Sequence, residues 1–194
     1  MQTSQSSLGK SFWLSLSLII AITSLFNISS CKSKKFGVAG TDCVTLASTQ
    51  IQNVWVDQSY TKPGSTDLID NIAFYPSFDG TNLTVNVIGQ KSDGSQIPGS
   101  SLTMNVGSGC KTTFPPHVAI GVNNFKLSNL RIFEATGSLI KNFNYIRLSP
   151  QAFTGDPNFM NFSVEVIING VAQKVGDSDP CPPCQYCLPP CASK

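Results

Sequence analysis

Histidine occurs once in this chain, at His117, and charged side chains make up only 12% of its 194 residues. A single imidazole excludes a multi-histidine metal site and any spread of acid–base histidines. A serine triad needs just one, but the G-x-S-x-G elbow is absent, and Phe114-Pro115-Pro116-His117 reads as a loop ahead of a strand. Carboxylates are equally sparse. Asp67 with Asp70, and Asp177 with Asp179, are the close pairs, and neither resembles the spaced acidic loop of an EF-hand. Glu134 and Glu165 would have to meet across a sugar to serve as glycosidase carboxylates. No window of fifteen residues carries a clean 3.6-residue apolar stripe, which argues against a helical domain, and no internal repeat is found.

The longest apolar stretch, Ser11 to Phe26, is 16 residues and is diluted by Ser11, Ser15, Ser17, Thr23 and Ser24. A spanning helix wants about 20 apolar residues. With Lys10 as the sole charge before it, the stretch has the layout of a secretory signal, a positive n-region followed by an h-region. The expectation is an exported protein.

Ile28-Ser29-Ser30-Cys31 follows directly: a branched apolar residue, two small residues, then cysteine. This resembles the lipobox of bacterial lipoproteins, and the resemblance covers the signal region alone. It implies cleavage before Cys31, diacylglycerol on the Cys31 thiol and acylation of the freed amine, so that several acyl chains hold the protein on a membrane. Lys32 directly after the anchor resembles lipoproteins sorted to the outer membrane of Gram-negative cells.

Cysteine arithmetic agrees. Seven cysteines leave one over in an exported chain, and lipidation of Cys31 removes the remainder. Cys43, Cys110, Cys181, Cys184, Cys187 and Cys191 then face an oxidising compartment, where disulfides persist. A Cys43–Cys110 bridge across the domain and two bridges within the tail form one reading. In the other, Cys181, Cys184, Cys187 and Cys191 supply four thiolates for zinc or copper(I). Cys181-Pro182-Pro183-Cys184 has the spacing of a thioredoxin-like redox pair, without the following helix that lowers a thiol pKa.

Removing residues 1–30 takes away Lys10 alone, leaving 12 basic groups against 11 acidic ones. That balance excludes nucleic acid as a partner, since phosphate binding needs a concentrated basic face. Lys32, Lys34 and Lys35 cluster beside the lipid site, where they suit anionic headgroups.

Four segments are expected: a cleaved signal over 1–30, a lipidated flexible tether over 31–42, a β-domain over 43–176 and a Cys/Pro-rich tail over 177–194. Period-two alternation is clearest over 83–88, 102–106 and 160–168, and further strands are expected at 44–48, 51–57, 68–75, 118–122, 125–133 and 143–148. Asn169-Gly170 is the dipeptide a type I′ hairpin turn requires, and Asp79-Gly80 marks a second turn. Roughly nine short strands predict an all-β antiparallel β-sandwich, with an immunoglobulin-like arrangement as one form of it and a barrel as the alternative. The tail holds four cysteines and five prolines from residue 180 onward and is expected to be irregular.

Trp55, Tyr60 and Tyr75 lie in an aromatic-rich segment with polar neighbours, the composition a sugar-binding face needs, although aromatics of a sandwich more often pack its core. With so little catalytic equipment, the expected function is non-enzymatic: a lipid-anchored envelope protein, with no cofactor, whose sandwich binds or positions an envelope protein or glycan. The alternatives are a metal-binding or thiol-redox tail and a carbohydrate-binding module.

Overall fold

The computed structural model describes residues 37–39, 43–107, 111–113 and 118–181, with the backbone alone described at 37–39 and 111–113. Along that chain run β1 (Gly37–Ala39), β2 (Val44–Ala47), one α-helical turn α1 (Ser48–Ile51) continued by a π-turn (Gln52–Val56), β3 (Asn71–Phe78), β4 (Leu83–Gln90), β5 (Leu102–Thr103), β6 (Asn105–Val106), β7 (Lys111–Thr113) and β8 (Asn123–Lys126). A 3₁₀ turn (Leu127–Leu130), β9 (Phe143–Ala152), β10 (Met160–Ile168), β11 (Val171–Asp177) and β12 (Asp179–Pro180) complete it.

The strands form two antiparallel five-stranded sheets, ordered β11-β10-β9-β2-β6 and β12-β8-β3-β4-β5, and β1 pairs with β7 in a separate ribbon. Among the described residues neither sheet closes on itself or joins the other, so the architecture is an all-β sandwich and not a barrel. Alternation explains which face turns inward: Leu83, Val85 and Val87 are buried while Thr84 and Asn86 are exposed, and Met160, Phe162, Val164 and Val166 line the inner face of β10. Phe74 holds the centre, tilted against Phe125 of its own sheet at 6.5 Å and edge-on to Phe162 of the opposite sheet at 5.9 Å. Such aromatic pairs add roughly 0.5–1.5 kcal/mol beyond area burial.

The chain passes between sheets at two buried residues. Met104 separates β5 from β6, so consecutive dipeptides pair with β4 in one sheet and β2 in the other. Ser178 separates β11 from β12 in the same way. Pro76 lies within β3 beyond Phe74, where the β8 ladder has already ended, so its missing N–H falls on the unpaired side of the strand.

Several elements differ from the sequence reading. Residues 51–57 are helical because Ile51 and Trp55, four apart, both bury; the β-branched and aromatic composition had suggested a strand. The strand expected over 125–133 stops at Lys126, where Leu127 and Leu130 turn inward on a 3₁₀ turn. Residues 118–122 make an isolated bridge, Ala119 to Phe159, instead of a strand. β3 begins at Asn71, three residues late. Gly37–Ala39, placed in the tether, is a strand. The sandwich also extends past residue 176, through β12 to a buried Cys181.

Candidate functional site

The residues singled out in the sequence fall into two regions, and their local structure decides what each can do. The first is the loop 91–101. Trp55 is fully buried and its indole Nε1 donates to the Ser100 carbonyl at 2.7 Å. Tyr60 donates its hydroxyl to the Pro98 carbonyl at 3.0 Å, and Gln96 Nε2 donates to Tyr75 Oη at 2.7 Å. All three aromatics therefore converge on one loop and hold it. Ser100 completes the anchorage: its hydroxyl donates to the Ile97 carbonyl at 2.7 Å and accepts the Gly89 N–H at 2.9 Å. Trp55 turns its whole ring into the core, whereas Tyr60 and Tyr75 are half-buried.

The second region is the start of the cysteine tail. Cys181 is buried; its backbone N–H donates to the Val122 carbonyl at 2.7 Å, and Asn124 Nδ2 lies 3.2 Å from its sulfur. Gly121 permits this approach, since a Cβ there would sit 2.7 Å from the Cys181 carbonyl oxygen. Immediately upstream, Ser178 Oγ donates to Asn123 Oδ1 at 2.9 Å and accepts the Phe162 N–H at 2.8 Å, while Asn161 Nδ2 donates to the Ser178 carbonyl at 3.1 Å. Ser178, Asn123 and Asn161 are all buried, so this network fixes where the tail departs. Nothing in the sequence marked these residues, because serine and asparagine are as common in turns as in buried networks. The fully buried Gln90 was equally unmarked, and its side-chain amide has no partner among the described residues.

The remaining expected residues are structural or lie elsewhere. Cys43 is buried and disulfide-bonded. Cys31, Cys110, His117, Cys184, Cys187 and Cys191 lie outside the described residues. Asp67 pairs with Lys91 at 2.8 Å, Asp177 pairs with Lys174 at 2.9 Å, and Glu165 pairs across strands with Arg147 at 2.7 Å. Asp79 and Asp93 cap turns: the N–H groups of Asn82 and Thr81 hold the Asp79 carboxyl below the usual carboxylate range, and Ser95 does the same for Asp93. Partial burial pushes the Asp179 carboxyl up. Among the described residues no cluster of three metal-ligating side chains occurs, and no helix is long and apolar enough to cross a membrane. The chain matches no protein-family model, no curated protein and no solved structure.

Proposed function

We propose that this chain is a lipid-anchored protein of a bacterial cell envelope, held through Cys31, whose sandwich binds or positions another envelope component without catalysing a reaction. The observation that carries the reading is Ile28-Ser29-Ser30-Cys31 immediately after a 16-residue apolar segment. The titratable groups of the sandwich support the non-enzymatic part: the aspartates with perturbed acidity are explained by turn capping or burial, and Glu165 is engaged by Arg147. Within this reading Cys110 is the partner of Cys43, supported by the Gly107 N–H donating to the Cys43 carbonyl at 3.0 Å, which brings the chain back to Cys43 just ahead of Cys110. The outer membrane is the proposed address.

The test is intact mass and membrane fractionation of the native protein beside Cys31→Ala. An N-terminus at Cys31 carrying acyl chains, and release of Cys31→Ala from the membrane, is the expected result. Membrane retention of Cys31→Ala overturns the anchor.

A further inference from the structure

We infer that the groove beside Arg131 is a binding site for a carboxylated sugar, the uronic-acid unit of an acidic glycan. It lies where edge strand β11 of one sheet meets the 3₁₀ turn that follows β8 of the other, and it encloses about 230 Å³.

Arg131 is built into this place with unusual firmness. It takes the left-handed backbone conformation (φ +54°), which a side-chain-bearing residue rarely adopts, and the buried Leu130 and Ile132 on either side fix it there. With both neighbours committed to the core, residue 131 must point outward. Non-glycine residues held in this region concentrate at ligand clamps, and a glycine would suit the turn better. An arginine stands here against its backbone preference, which directs attention to its guanidinium.

That guanidinium has no ion-pair partner among the described residues. Arg131 lines the 230 Å³ groove and also a neighbouring cavity of about 300 Å³ whose lining includes Asp70. Lys174 lines the first groove too, but its amine already faces Asp177 at 2.9 Å, so Arg131 carries the unspent charge. No acidic residue lines that groove. The planar fork of a guanidinium matches a carboxylate through two parallel N–H···O bonds.

The rest of the lining selects the body that bears the carboxylate. Asn129 and Gln173 each offer donor and acceptor atoms, matching hydroxyl groups that both donate and accept. Ile168 and Val175 give an apolar wall for the faces of a ring. The volume suits a single pyranose with its substituents. An acidic peptide suits the groove less well: extending a sheet edge needs a regular ladder, and β11 carries a bulge opposite Val164 and Glu165, with Gly176 at φ +153°.

The inference rests on reading the sandwich as a binding module and is independent of the lipid anchor. The experiment is calorimetric titration of the full-length protein, solubilised in mild detergent, with tri-galacturonate, with a neutral trisaccharide and with a tri-glutamate peptide. Arg131→Gly is measured in parallel, because glycine removes the guanidinium while fitting the left-handed turn, so its melting temperature should equal or exceed that of the parent. The expected result is millimolar or tighter binding of tri-galacturonate, at least tenfold weaker binding of the neutral sugar and the peptide, and at least tenfold loss in Arg131→Gly. No uronate binding by the parent, unchanged binding by Arg131→Gly, or tighter binding of the peptide each overturns it. Cys31→Ala should bind uronate as the parent does, which keeps failure of the anchor separate from failure of the site. Arg131-dependent cleavage of the trisaccharide would uphold the site and overturn the non-enzymatic reading.

Discussion

Ser178, the buried residue between β11 and β12, donates a hydrogen bond of 2.9 Å to buried Asn123 of β8 at the point where the chain crosses from one sheet to the other. Ser178→Ala leaves Asn123 Oδ1 and the Phe162 N–H without their partner in a region closed to water. An orphaned buried polar group costs about 1–3 kcal/mol, so the variant should lose about 2 kcal/mol in urea unfolding. Unchanged stability would mean that water reaches the network.

Trp55 is the sole tryptophan after residue 30, and it is fully buried. In protein beginning at Cys31 its emission should be blue-shifted and resistant to acrylamide, moving red on unfolding. Trp55→Phe removes the bond to the Ser100 carbonyl and part of the ring volume, with an expected cost of roughly 1–3 kcal/mol. The same variant should leave any ligand affinity intact, because the ring meets only protein.

Two glycines sit where backbone from elsewhere in the chain passes too close for a side chain. A Cβ at Gly137 (φ +85°) would meet the Thr61 carbonyl oxygen at 2.4 Å, and one at Gly121 would meet that of Cys181 at 2.7 Å. Gly137→Ala should lower the melting temperature of the whole sandwich. Gly121→Ala should act more locally, speeding hydrogen exchange at the Cys181 amide that donates to Val122 while leaving the β10 amides protected.

Asp79 and Asp179 predict opposite responses to acid. Backbone N–H groups of Asn82 and Thr81 lower the Asp79 pKa below its usual 3.8, so the ionised group supports the fold above that value and the support is lost as pH falls through the lowered one. Burial raises the Asp179 pKa above 3.8, so its ionised form weighs against the fold at neutral pH, and relief comes as pH falls through the raised value. Melting curves across pH 2–7 should show Asp79→Asn less stable than the parent at neutral pH, with the gap closing in strong acid. Asp179→Asn should match or exceed the parent at neutral pH, and its advantage should vanish below about 3.8.

The strands that the sequence revealed are those whose apolar residues alternate. β4 alternates because its inner residues Leu83, Val85 and Val87 are buried while Thr84 and Asn86 meet solvent; β10 keeps the alternation in sequence although Asn161 and Ile167 on its outer face are also buried, and the Asn169-Gly170 turn adopts positive φ at both positions as its composition demanded. The helical turn at 48–56 was hidden because a single i, i+4 pair, Ile51 and Trp55, is too short a stripe to register as a period. The sheet change at Met104 was hidden for a different reason: Leu102, Met104 and Val106 alternate in sequence as a single strand would, but the chain changes sheets at Met104 and Val106 beyond it is exposed. Trp55, Tyr60 and Tyr75 all reach loop 91–101, the first two by donating to backbone carbonyls and Tyr75 by accepting from the Gln96 side chain, contacts that leave no trace in residue identity. Arg131 gave no signal at all, because a lone arginine between two apolar residues, Leu130 and Ile132, declares neither its φ nor its surroundings.

β2 sits inside its sheet, between β9 and β6, and Thr45 pairs with Arg147 from beyond the midpoint of the chain. A polypeptide threaded across a membrane from its N-terminus therefore delivers β2 long before the strand that must lie beside it. The first sheet cannot close until β9 has emerged, and loop closure over that span makes the step slow relative to local hairpins such as β10–β11. Under the proposed export, this strand order would hold back closure of the sandwich until most of the chain had crossed, keeping the polypeptide threadable in the meantime.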